Sequence, residues 1–92
     1  MNATIDVERL DAVDFRVTIN DSDGPSQHTV IATLEDHMEL APGVPIEELV
    51  AETFRFLLSH ETHSSIEAHF TIQDVKRLFF DYEFEMKQRL GG

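Results

Sequence analysis

The residues with the widest chemical range in this chain are its five histidines, three of which fall close together as His60, His63 and His69. An imidazole can ligate a divalent ion or move a proton near neutral pH. With Glu61 and Glu67 interspersed, an N/O site for zinc or a related metal is chemically accessible. The spacing argues against it. HETHS opens like the zincin motif H-E-x-x-H, yet Ser64 stands where the second histidine is required. The segment also reads as a loop, where no helix face fixes ligand geometry. His60, His63 and His69 are weak metal candidates, and surface histidines are the simpler account.

Other arrangements carry less. Asp21-Ser22-Asp23-Gly24 resembles part of a calcium loop, but the first and last ligand positions would fall on Ile19 and Val30. A turn between strands explains the same residues. Glu35, Asp36, His37 and Glu39 cluster between apolar runs and read as a solvated acidic connection. There is no Gly-rich phosphate loop, nucleophile elbow or kinase-type set, so no catalytic residue and no cofactor is expected. The absence of cysteine excludes disulfides, thiolate nucleophiles and Cys-ligated zinc. The final Gly91-Gly92 resembles the tail of ubiquitin-like modifiers and sulfur carriers, which would make the terminal carboxylate the reactive group. A hairpin followed by a helix suits the opening of a β-grasp domain. The apparently helical remainder does not suit its close.

Composition narrows the class further. Ninety-two residues, 41% of them hydrophobic and seven of them Phe, suffice for one domain with a real core. The net charge of −11 is uneven. Up to Phe70, fourteen acids face Arg9, Arg16 and Arg55, whereas from Thr71 onward four acids balance Lys76, Arg77, Lys87 and Arg89. Nucleic acid and anionic membranes are therefore unsuitable partners for most of the surface. The charge serves solubility or offers a surface to a basic partner. No apolar run approaches the roughly 18 residues of a membrane span, and MNATIDVERLD lacks the features of a signal peptide. Cytoplasm is the expected setting.

These groups must be positioned by elements that the hydrophobic period reveals. The helix expected over Pro45 to Leu58, PIEELVAETFRFLL, organises the rest. At about 100° per residue, Ile46, Leu49, Val50, Thr53 and Leu57 form one stripe. Phe54, Leu58 and Phe56 widen it, leaving Glu48, Glu52, Arg55 and Ser59 on a narrow polar face. So wide an apolar arc implies two packing neighbours. One is a β-hairpin: Val13, Phe15, Val17 and Ile19 alternate, then turn formers, then His28, Val30, Ala32 and Leu34 alternate. A bare hairpin leaves open edges that invite a third strand or a second subunit. The other neighbour is a helix begun by Thr71, with Asp74 in the third position, and carrying Ile72, Val75, Leu78, Phe79, Tyr82, Met86 and Leu90. Residues 1–12 read equally as a short strand at Thr4 to Val7 or as helical turns from Asp6 to Ala12, and residues 1–12 and 91–92 are expected to be the flexible ends.

The runs EELVAETFRFLL, SSI at Ser64 to Ile66, Phe70 to Val75, and FFDYE at Phe79 to Glu83 resemble a family of small uncharacterised bacterial proteins. Its pattern reads EELV-x-x-x-F-x-FLL, ESI, FDL-x-x-I and YFPEYE. The likeness covers about residues 45–86 and implies no activity. Phe80 stands where that pattern has proline, which implies that the helix after Thr71 breaks near Phe80.

The expectation is thus one α+β domain over residues 1–92: an N-terminal antiparallel hairpin packed on a central helix and a C-terminal helical segment. The function expected is a non-enzymatic protein–protein interaction module. The interaction residues expected are Phe80 and Phe84, which fall off the C-terminal stripe, beside Lys76 and Arg77. A homodimer through the hairpin edge or these aromatics is one form of it. The Gly-Gly modifier is the alternative.

Overall fold

The computed structural model describes residues 4–21, 24–60 and 65–91. Strand β2 (Asp14–Asp21) has the strict alternation expected, with Phe15, Val17 and Ile19 wholly buried and Arg16 exposed between them. Strand β3 (Gly24–Ile31) pairs with it antiparallel and sets Val30 opposite Phe15 and His28 opposite Val17. Gly24 starts β3 at φ 103°, a backbone conformation that side chains with a Cβ disfavour. Strand β1 (Thr4–Arg9) lies antiparallel on the other side of β2, with Ile5 opposite Ile19 and Val7 opposite Val17.

The helical alternative for Asp6 to Ala12 is therefore corrected. Val7 has a cross-strand partner only in the extended form, and β2 offers that partner along the whole of β1. The hairpin is part of a three-stranded meander. A fourth strand, β4 (His69–Thr71), pairs parallel with β3 and completes the order β1-β2-β3-β4.

Between β3 and β4 the chain crosses over through two helices, α1 (Leu34–Leu40) and α2 (Ile46–His60). Helix α1 replaces the irregular acidic connection expected over Glu35 to Val44. Thr33 starts it with a reciprocal capping box: its hydroxyl accepts from the Asp36 N–H at 3.2 Å, and the Asp36 carboxylate accepts from the Thr33 N–H at 2.9 Å. Leu34, expected on the inner face of the second strand, is instead the exposed first residue of this helix. Asp36 is buried, not solvated. Its other oxygen accepts from the Gln73 side chain at 2.8 Å.

The helices lie against the apolar face of the sheet. Helix α2 buries Ile46, Leu49, Val50, Ala51, Thr53, Phe54, Phe56 and Leu57, the broad arc expected of it. Phe54 meets the His28 and Phe70 rings of β3 and β4, each at 5.5 Å between centroids. Phe56, on the opposite flank of the helix, meets Phe79 and Tyr82 edge-on at 5.4 Å. Two neighbours, one on each flank, account for the two phenylalanines.

The C-terminal segment is two helices. Thr71 and Asp74 form the expected capping box and begin α3 (Ile72–Leu78). The helix stops at Phe79, whose backbone is extended (φ −126°, ψ 103°), and α4 (Tyr82–Leu90) starts afresh. The break falls near Phe80 even with no proline there. It also splits the single stripe expected over Ile72 to Leu90: Phe79 turns inward onto Phe56, while Leu78 turns out into water. The alternation of Phe84, Met86, Gln88 and Leu90, which would suit a last strand, belongs to α4. No helix among the described residues is long and apolar enough to cross a membrane.

Candidate functional site

The break between α3 and α4 leaves three large apolar side chains outside the core. Phe80 is 100% exposed, Leu78 75% and Phe84 63%. Phe84 sits on α4 roughly opposite Tyr82 and Met86, which are wholly buried, so the same helix that closes the core turns an aromatic ring to water. An isolated exposed apolar residue needs no explanation. Three within seven positions of one short segment, two of them phenylalanines, form the most water-exposed apolar stretch of the described chain.

The cations expected beside these aromatics are committed elsewhere. Lys76 Nζ lies 2.5 Å from Glu39 of α1 and 3.7 Å from Glu83 of α4, and the bond to Glu39 is the main cause holding its pKa above the ordinary lysine value. Lys76 thereby fastens α1, α3 and α4 together. Arg77 pairs with Asp74, whose carboxyl is held below the usual carboxylate range first by the Thr71 backbone N–H and then by Arg77. What the segment offers a partner is apolar surface among neutralised charges.

A second feature runs along α3 and meets the first at Leu78. Three contiguous depressions share Phe70 and Asp74 and run as one shallow trough along β4, which is a sheet edge among the described residues. Its apolar part holds about 50 Å³ between Leu57, Ile66, Phe70, Val75, Leu78 and Phe79. Its flanks carry Asp14, Glu67, Asp74, Arg77 and His69. The approach to β4 is fixed by His28. That buried imidazole places Nδ1 2.8 Å from the Glu67 carbonyl and Nε2 3.1 Å from the Ser26 hydroxyl, while the Thr29 N–H donates to the Ala68 carbonyl at 2.7 Å.

The metal candidates are not assembled into a site by the described chain. His60 ends α2, with its ring against Phe56 at 4.6 Å and Phe79 at 5.3 Å. His69 is an exposed residue of β4, and His63 lies outside the described residues. Among the described residues no three His, Asp or Glu side chains are grouped to hold a metal ion. Gly91 caps α4 in the left-handed conformation at φ 67°, and Gly92 lies outside the described residues. Among the described residues the strongly perturbed buried group is Tyr82, whose pKa is pushed up by burial while its hydroxyl bonds to Thr53 Oγ1 at 2.7 Å. Thr53 in turn donates to the Leu49 carbonyl within α2. This is a closed pair between α2 and α4.

Sequence reasoning found Phe80 and Phe84 because they fall off the apolar stripe. It missed the trough, because a three-residue strand shows no period. Leu78, expected in the core, ends α3 at the margin of the Ile72–Val75 stripe and is exposed. Comparison with protein families, with curated proteins and with solved structures gave no match.

Proposed function

We propose that this chain is a non-enzymatic module that binds another protein through the surface around Leu78, Phe80 and Phe84. The observation that carries it is Phe80, which is fully exposed although its neighbours Phe79 and Tyr82 pack edge-on against Phe56. An aromatic left wholly in water gives the isolated fold nothing, whereas burial at an interface would remove most of its area from water. The closed Thr53–Tyr82 pair and the shallow trough supply no enclosed reaction chamber, which fits a binding role better than catalysis. The likeness over residues 45–86 to small uncharacterised bacterial proteins belongs to the same reading, as does the cytoplasmic setting, and neither adds an activity.

The modifier alternative draws no support from the fold. A β-grasp domain returns strands after its helix, whereas after α2 the described residues hold the three-residue β4 and then α3 and α4.

The test is quantitative affinity capture with the wild-type chain and with Phe80→Ser/Phe84→Ser. A protein retained by the first and lost by the second, at equal folded concentration, supports the reading. Identical capture by both would remove it. Light scattering of the pure protein examines the homodimer form, which requires a dimer that the same two substitutions dissolve.

A further inference from the structure

We infer that the trough along β4 receives an extended segment of a partner protein, an aliphatic side chain flanked by Lys or Arg, laid beside β4 as an added strand. This rests on the interaction reading above and names the chemistry of the partner. Three observations converge. First, β4 pairs with β3 on one side only among the described residues, so the backbone N–H and C=O of His69 on its other side have no strand to bond, while the Thr71 N–H there is taken by the Asp74 carboxylate. Second, the trough beside that edge has an apolar floor. Phe70 is half-buried on the helix side of the sheet, and Leu57, Val75 and Leu78 border the same dent of about 50 Å³, room for the end of one valine or leucine.

Third, the flanks select by charge. Asp14, Glu67 and Asp74 stand there against Arg77, a surplus of two carboxylates over cations. The chain as a whole carries −11, so a second copy would bring like charge to an acidic rim. A basic segment of a different protein is favoured on approach and in place. In an added strand, alternate side chains face opposite sides of the sheet. Its apolar residues would then lie over Phe70 and Leu78 on the helix side, and its basic residues beside Asp14 and His69 on the outer side.

The experiment is a titration of the isotope-labelled chain with the capped peptide Lys-Val-Arg-Leu-Lys-Val-Arg, followed by amide NMR. The expected result is saturable shifts at His69, Phe70, Thr71 and Leu78. Glu67→Lys together with Asp14→Lys should weaken binding about tenfold, since two surface attractions become repulsions. Leu78→Ser, at an exposed position, should weaken it while leaving the unfolding transition in place. Two control peptides decide the mode: glutamate at the four basic positions should abolish the shifts, and so should proline for the central leucine, which cannot complete a strand.

No shifts at millimolar peptide, or equal shifts with either control, would overturn the inference. So would shifts at β4 that grow with protein concentration alone, which would mean a second copy. The two readings fail separately. A silent peptide with capture still dependent on Phe80 and Phe84 removes the trough and leaves the interaction module.

Discussion

Helix α2 and the segment from Leu78 to Phe84 are both rich in large apolar residues, and the fold treats them in opposite ways. Eight side chains of α2 are buried, and its polar side is tied down by Arg55 with Glu52 at 2.8 Å and by Arg89 with Glu52 at 3.2 Å. Its one buried polar side chain, Thr53, is doubly satisfied by Leu49 and Tyr82. In the second region one phenylalanine, Phe79, faces in, while Leu78, Phe80 and Phe84 face out. Apolar content alone does not distinguish core from contact surface. What distinguishes them is whether the backbone keeps one helical phase: α2 runs unbroken for fifteen residues, whereas the restart at Tyr82 turns its neighbours outward.

If that contrast is right, substitutions along α2 should be costly and those on the outward side chains should not. The largest effect is expected for Phe54→Ala, which empties the space between His28, Phe70 and α2. A loss of about 3–5 kcal/mol in urea unfolding follows from a cavity of that kind. In a domain whose total stability is of order 5–15 kcal/mol, that variant would be marginal. A loss under about 1 kcal/mol would mean that Phe54 does not join sheet to helix.

Tyr82→Phe comes next, at about 1–2 kcal/mol, because a buried hydroxyl pair is broken while Thr53 keeps its bond to Leu49. The same group has a pH signature. Burial holds its pKa above the ordinary value of 10.0, so the neutral hydroxyl's contribution is intact below pH 10 and falls as pH rises beyond it. Tyr82 is the single tyrosine, so tyrosinate absorbance should appear only with alkaline unfolding, not as a separate step near pH 10.

A smaller loss, about 1 kcal/mol, is expected for Thr71→Ala, which removes the hydroxyl that accepts from the Asp74 N–H at 3.0 Å. The pairing of Asp74 acts in the acid range. Its carboxyl is depressed, so the stabilisation is present above the usual carboxylate pKa and disappears as pH falls through the lowered value. Asp74→Asn, which removes the titrating group, should therefore flatten the acid limb of the stability profile.

The same contrast explains what could be read in advance. Helix α2, strands β2 and β3 and the Thr71–Asp74 cap all carry long periods or paired local signals. Strand β1 was ambiguous because TIDVER fits a strand or a turn of helix until β2 supplies its partner. Helix α1 was missed for another reason. Seven residues with Asp36 and Leu40 as the only buried ones make no stripe, yet Thr33 and Asp36 repeat the cap that was recognised at Thr71 and Asp74. Leu78 was misplaced because it ends α3 at the margin of the Ile72–Val75 stripe, where helical phase alone does not decide burial. The outward phenylalanines were legible; the trough, which needs β4 and α3 placed together, was not.

The most direct test of the contrast is equilibrium unfolding of Phe80→Ser/Phe84→Ser beside the wild type. Two exposed rings that serve a partner and not the fold should be removed with a change within about 0.5 kcal/mol. A loss above about 2 kcal/mol would show that these rings are packed, and would remove the surface on which the proposed function stands.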